Sequence, residues 1–373
     1  MNFYLKPRLI TGRGCIAANS GLIGSFGKRC MIVCGAHGAE KSGALADITS
    51  TLDSLGIEWK VYNGIAGNPS LESCFEAGRI ANAFKADFIF GIGGGSALDA
   101  AKTAAVAASN PDIDEEGFYA KNWPVDPIPV LLAGTTAGTG SEVTDVAVLT
   151  DSRKRKHSIH DERLFSAVSF GDPSHTVSLS KAVTLSTGVD ALAHCLESAY
   201  SKKASDISRA FSARGIGILV RALSAAASAG DSELDYNTRE DLYNASILGG
   251  LAISITGTVF CHNVGYYFTE NKGLPHGIAC ALFIPELIDR MEAECPEYSK
   301  AFLSTCGTDA SQLKALVKSC MPEMSISMTA GEIESALPRW KDNGSVKNTM
   351  CTVTLEDIRE ILTKMFTGKG ENA

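Results

Sequence analysis

The sequence predicts two structural halves: an N-terminal α/β layer built on a mostly parallel sheet, and an all-helical C-terminal half. Three observations carry that expectation. At 373 residues the chain exceeds one typical core and suits two domains. Up to Asp172-Pro173, short β-rich runs alternate with helical stretches, as in a parallel sheet flanked by helices. From residue 179 onward, long segments rich in Ala, Leu and Ser follow one another. The expected boundary therefore divides residues 1–178 from 179–373.

In the first half RCMIVCG (29–35) reads as a strand, residues 40–55 as a helix, IEWKVYNG (57–64) as a strand and 70–84 as a helix. ADFIFGIGGGSALDAAKTAAVAAS then runs strand, glycine turn, helix. PIPVLLAG, VTDVAVLTD, KHSIH and FSAVSFGD are four further strands, some of them hairpin partners. In the second half the helical segments include 186–200, 204–228, 238–257 and 277–292. The sequence carries no internal repeat.

A hydrophobic content of 45% and a charged content of 20% describe an ordinary globular chain. No uninterrupted apolar run reaches the roughly 18 residues of a bilayer span, so no membrane partner is expected. The start, MNFYLKPRLITGRG, lacks the features of a secretory signal. Eleven cysteines, an odd number without a CxxC pair, read as buried thiols in a reducing compartment, hence a cytoplasmic protein. A net charge of −8 opposes nucleic-acid binding. The one basic cluster, SRKRKH at 152–157, reads as a solvated loop or strand edge, with Lys156 its candidate for facing a phosphate.

GIGGGSALDAAK (91–102) follows a buried-looking strand and opens an Ala-rich helix. Glycines let the backbone approach a ligand, and a helix start offers unpaired N–H groups and a positive dipole end. Gly93, Gly94, Gly95 and Ser96 are the candidate anion cradle. The spacing is neither GxGxxG nor GxxxxGK[ST], and a tight turn with Ser96 as helix N-cap explains it equally well. AGTTAGTGSEVT (133–144) also follows an apolar strand, and its hydroxyls suit phosphate or ribose. Two such loops beyond strands of one sheet mark the usual binding crevice of open α/β folds.

In STGVDALAHCLESAY (186–200), Asp190 and His194 are four apart and share a helix face among apolar neighbours. That pair alone fits a buried ion pair better than a metal. Two more histidines change the balance: His262 in VFCHNVG, after an apolar helix, and His276 in GLPHGIACALF, at a helix start after Pro275. One carboxylate and three imidazoles suit a divalent first-row metal such as Fe²⁺ or Zn²⁺.

Together these segments resemble the iron-containing, or group III, alcohol dehydrogenase family over nearly the whole chain. GGGSALDAAK (93–102) is similar to its GGGSxxDxAK cofactor loop, TTAGTGSEVT (135–144) to its second cofactor loop, GVDALAHCLES to its GxDAxxHxxE metal helix and LPHGIACAL to its PHG segment. The resemblance implies a dinucleotide-binding α/β domain, a helical domain and a metal in the cleft between them, held by Asp190, His194, His262 and His276. It also implies cofactor contacts by Asn68, Asp99, Thr135, Thr136, Thr139 and Ser141 beside the glycine cradle and Lys156. The reaction expected is hydride transfer between NAD(P)H and a small primary alcohol or aldehyde, in a homodimer.

Two positions depart from the family pattern. Where many members carry a further histidine, four residues after the third ligand, this chain has Tyr266, a candidate catalytic residue with His276 and equally a wall of the substrate pocket. A free phenol ionises near pH 10, so it is a poor base at neutrality. Gly35 stands where NAD-preferring members often place an acid, and VCGAHGAEKSG (33–43) supplies N–H groups with His37 and Lys41. The missing carboxylate favours NADP(H) over NAD(H). Other readings are a lyase of the dehydroquinate synthase type, a glycerol dehydrogenase-like metalloenzyme, and a nonenzymatic dinucleotide-binding protein.

Overall fold

The computed structural model describes Tyr4 and residues 6–229 and 234–367. The chain divides into two compact units, Met1–Ser180 with Leu234–Gly250, and Lys181–Glu233 with Leu251–Ala373.

In the first unit, six strands form one parallel sheet: β1 (Arg8–Thr11), β2 (Arg29–Gly35), β3 (Glu58–Ile65), β4 (Phe88–Gly93), β5 (Val130–Gly134) and, after the antiparallel hairpin β6 (Val146–Thr150)–β7 (Lys156–His160), β8 (Val168–Gly171). Their order is β1-β8-β5-β4-β2-β3. The helices are α1 (Cys15–Ala18), α2 (Ser20–Ile23), α3 (Gly38–Lys41), α4 (Ala44–Ser54), α5 (Leu71–Phe84), α6 (Gly95–Ser109) and α7 (Glu115–Tyr119).

Parallel strands covered on both faces must be apolar, as β2 is from Cys30 to Cys34 and β4 is along its whole length. Met31, Val33 and Ile89 pack with α5 and α6 residues such as Cys74, Ala77, Ala101 and Ala104. Cys30, Ile32, Cys34, Phe88, Phe90 and Ile92 pack with Ile16, Ile23, Ile48 and Leu52 on the opposite face. From β2 the chain proceeds to β3 at one edge, then crosses back to place β4 on the other side of β2. The loops leaving β2 and β4 therefore part at the carboxyl ends of the strands, the position where open α/β sheets bind ligands.

The second unit is helical, as expected. It is built from α8 (Lys181–Ala199), α9 (Asp206–Ser228), the end of α10 (Tyr236–Thr256), α11 (Phe260–Asn271), α12 (His276–Ala281), α13 (Ile284–Glu294), α14 (Pro296–Thr305), α15 (Ala310–Cys320), α16 (Ala330–Ala336), α17 (Gly344–Lys347) and α18 (Leu355–Phe366). α9 alone among the described helices is long and apolar enough by composition to cross a membrane. Its apolar residues Ile216, Leu219 and Leu223 are buried inside the protein.

Some elements differ from expectation for local reasons. The helix expected at 40–55 is split into α3 and α4 by Gly43, whose φ of 82° is left-handed. The segment 277–292 breaks after α12, and Pro285 in the first turn of α13 removes an amide that a continuous helix would need. β1 escaped notice because only Leu9 and Ile10 are apolar in its four residues.

Candidate metal centre and phosphate loops

α8 sets Asp190, His194 and Glu197 along one face, at spacings of four and three residues. All three are buried. α11 begins after the bend at Gly257, whose φ is 66°, so His262 lies in the first turn of a new helix rather than behind an old one. His276 opens α12, with Pro275 as N-cap. The structure brings Asp190, His262 and His276 together. Asp190 Oδ1 is 3.5 Å from His262 Nε2 and 3.8 Å from His276 Nε2. Their donor atoms and Cys280 Sγ all lie within 4.8 Å of one another. His194 is outside that set, but its ring stacks on His262 with centroids 4.5 Å apart.

Asp190 Oδ1 and His262 Nε2 are buried and have no hydrogen-bond partner among the described residues. Leaving both unpaired is costly, and a cation between them removes the cost. The donor set thus fits a divalent metal. His262 Nδ1 donates a hydrogen bond to Glu197, which turns Nε2 toward Asp190. Glu197 Oε1 also accepts from Val259 N at 3.0 Å and His262 N at 3.2 Å, which pins the start of α11.

The electrostatics follow from burial and close charges. Burial alone would raise the Asp190 carboxyl, but the positive charges of His194, His276 and His262 override it and hold it below the usual carboxylate range. Burial alone would lower His262, but Cys280, Glu197 and Asp190 draw it well above the ordinary imidazole range. The pocket demands positive charge, as a proton or as a metal. Tyr266 stacks on His276, with centroids 5.4 Å apart and planes at 12°. Desolvation pushes its phenol well above the ordinary tyrosine range, so it remains protonated at neutrality.

In the first unit the glycine cradle forms where β4 meets α6. Gly93 has φ 148°, which a residue with a Cβ rarely adopts, and Gly94 caps α6 with no side chain over its first amides. A Cβ on Gly94 would lie 3.1 Å from the Thr136 side chain, and one on Gly95 would lie 2.9 Å from that of Thr139. The two loops are therefore packed against each other, and Thr135 N donates to Gly93 O at 2.9 Å. Open helix amides beside threonine hydroxyls fit a dinucleotide's phosphates. Ser96 is not the N-cap: it lies inside α6, and its hydroxyl accepts from Asn68 N at 3.2 Å.

Asp99 and Ser141 meet each other in a buried network below the loops. Ser141 Oγ donates to Asp99 Oδ1 at 2.5 Å, and Val148 N donates to Asp99 Oδ2 at 2.9 Å. Lys102, fully buried, donates to Ser141 O and Val146 O, each at 2.7 Å. Lys156 opens β7 opposite Thr150. Gly35 ends β2, where a Cβ would stand 3.1 Å from Ile65 O, so close strand packing gives a second reason for glycine there.

Sequence reasoning missed the roles of Glu197, Cys280 and Lys102. Glu197 and Cys280 carried a usable signal: one is seven residues after Asp190, the other four after His276, so each shares a helix face with a named ligand.

Comparison with known proteins agrees with both units. Residues 6–173 match the family described as "Iron-containing alcohol dehydrogenase", and residues 184–363 match "Fe-containing alcohol dehydrogenase family, C-terminal". Long-chain-alcohol dehydrogenase 1 of Geobacillus thermodenitrificans is 32% identical over 294 residues, covering 76% of this chain and 72% of that protein. Lactaldehyde reductase of Escherichia coli is 28% identical, with 74% of this chain and 72% of that protein covered. The crystal structure of an iron-containing alcohol dehydrogenase from Thermotoga maritima superposes with a TM-score of 0.88 at 32% identity, over 97% of this chain and 98% of that one.

Proposed function

The chain belongs to the iron-containing alcohol dehydrogenase family, and on that premise we propose that it transfers a hydride between NADP(H) and a small primary alcohol or aldehyde at a metal held by Asp190, His194, His262 and His276. Its class of reaction is that of the alcohol dehydrogenases and aldehyde reductases of this family. The observation that carries the metal assignment is the pair of buried, unpartnered donor atoms, Asp190 Oδ1 and His262 Nε2. Iron is our first choice of metal and zinc the second, since the same oxygen and nitrogen donors accept both.

A bound divalent metal supplies Lewis acidity that lowers the pKa of an alcohol and polarises a carbonyl. The chain's residues do the rest. Glu197 fixes the tautomer and direction of His262. His276, whose side chain is 27% exposed, is the member of the cluster open to an incoming substrate. Tyr266 buttresses the His276 ring and, being protonated, acts as a hydrogen-bond donor. Gly93–Ser96 and the Thr135, Thr136 and Thr139 loop hold the cofactor phosphates; Asp99, Lys102 and Ser141 hold those loops in shape. NADP(H) is preferred on the strength of Gly35.

A lyase acting on a phosphorylated sugar acid needs cations near the ligands, and the nearest in sequence, Lys272, is ion-paired to Glu332 at 2.8 Å. That observation disfavours it. All eleven cysteines are free thiols, in keeping with a reducing compartment, and we propose a cytoplasmic homodimer. The test is His276→Ala, which is expected to lose metal and turnover while its affinity for the dinucleotide stays at the wild-type value. Assays with NADPH and NADH across small aldehydes accompany it. Full activity in metal-stripped protein refutes the reading.

A further inference from the structure

His262 reaches the metal centre because the chain bends just before it, and a bend between two helices leaves backbone groups bare on both sides. The last turn of α10 leaves carbonyls without partners in its own helix, and the first turn of α11 leaves amides without them. Val259, the N-cap of α11, offers no side-chain acceptor, and Glu197 takes up the amides of Val259 and His262. The carbonyls of the same bend need a donor.

That donor is Asn348, buried and 92 residues beyond Thr256 in the chain. Its Nδ2 donates to Thr256 O at 3.0 Å, an ordinary bond, and to Thr258 O at 3.4 Å, a weak one. The two carbonyls flank Gly257, whose φ of 66° makes the turn. Carbonyls only accept, so the nitrogen of the carboxamide must face them. The carboxamide oxygen is accounted for independently. Ser201 Oγ, which accepts from Lys203 N at 3.0 Å, donates to Asn348 Oδ1 at 3.0 Å.

The backbone around Asn348 ties it to the helix that carries other donors of the site. Asn348 O accepts from Lys202 N and Tyr200 O accepts from Met350 N, each at 2.8 Å, immediately after the end of α8. Asp190 and His194 belong to that helix. The bend before His262 is thus held to α8 twice, by Glu197 through its amides and by Asn348 through its carbonyls. Ligand distances at a metal are fixed to within about 0.2 Å, so a bend free to relax would carry His262 Nε2 out of reach.

We propose that Asn348 is a positioning residue for the metal, acting only through the bend at Gly257 and the direction this gives to His262. This rests on the metal reading above.

The experiment is a Zn²⁺ chelator competition on full-length protein, run beside NADPH affinity and amide exchange of the metal-free form. Asn348→Asp keeps the size of the side chain but sets an acceptor against Thr256 O. It is expected to weaken Zn²⁺ binding by about tenfold, the low end of what groups that orient a ligating histidine contribute. NADPH affinity is expected to hold, and exchange to quicken in the peptide covering 256–263 but not in that covering 186–199. Wild-type Zn²⁺ affinity in folded Asn348→Asp overturns the proposal and leaves the metal reading standing. Equal quickening of both peptides also overturns it, since that marks a fault spread through the unit. If Asn348→Asp does not fold, Ser201→Ala, which removes the proton that orients the carboxamide, decides the matter: a smaller loss of Zn²⁺ affinity is expected, and wild-type affinity there overturns the positioning role. Failure of wild type to bind Zn²⁺ at all overturns both readings.

Discussion

Glu197 is the residue whose importance to the candidate site is greatest relative to its visibility in the sequence. It is fully buried and accepts from Val259 N, His262 N and His262 Nδ1, so its two oxygens hold both the ring and the backbone of one metal-ligand candidate. A glutamine there would offer an N–H to groups that are themselves donors, so it cannot substitute fully. Carboxylates that orient a ligating histidine typically contribute about 10–100-fold to metal affinity. Glu197→Ala is therefore expected to weaken metal binding by about that factor in a chelator competition, with dinucleotide affinity unchanged. Unaltered metal affinity would reduce Glu197 to a structural role. Asp190 and His194 were legible because the helical period alone puts them on one face. The partner of Glu197 is 65 residues away, and local periodicity says nothing about a contact at that distance.

At the scale of the element, the site depends on how a six-residue helix is seated. α12 is too short to be stable alone, so its position comes from packing. Gly277 is the contact point: a Cβ would lie 1.9 Å from Ser186 O and 2.9 Å from Asp190 Cβ, with backbone on one side and a ligand candidate on the other. Ordinary overpacking costs about 1–3 kcal/mol, and this collision is more severe because a carbonyl cannot rotate away. Gly277→Ala is expected to lower the thermal midpoint by several degrees, at roughly 2–4 °C per kcal/mol for a domain of this size, and to reduce bound metal. Wild-type metal content together with a wild-type midpoint would contradict the packing described. The sequence showed the PHG segment but not why its glycine is needed, because the obstacle is a backbone oxygen on another helix. One interior strand was legible to the residue: β2 runs Arg29–Gly35, as expected, because burial on both faces leaves an apolar run from Cys30 to Cys34. The helix breaks were less legible, since Gly43 and Pro285 act through backbone geometry that hydrophobic periodicity does not register.

Across the whole molecule, the two candidate sites draw on different stretches of chain. The metal donors come from α8, α11 and α12, all within Lys181–Glu233 and Leu251–Ala373. The phosphate loops come from β4–α6 and from the segment after β5, both within Met1–Ser180. A ligand that binds only the folded state stabilises what it binds by RT ln(1 + [L]/Kd), about 2.7 kcal/mol at a hundredfold excess over Kd. Local opening reports that gain as slower amide exchange in the segments that must open to release the ligand. Removal of metal by a chelator is therefore expected to speed hydrogen exchange most in peptides covering 186–199, 259–271 and 275–282, by up to about 100-fold at such saturation. Addition of NADPH is expected to slow exchange most in peptides covering 91–103 and 133–150. The two patterns are expected to be separable because neither set of contacts includes a residue of the other. If chelation loosens the glycine and threonine loops as much as it loosens α12, the assignment of metal and dinucleotide to these separate residues fails, whatever turnover does.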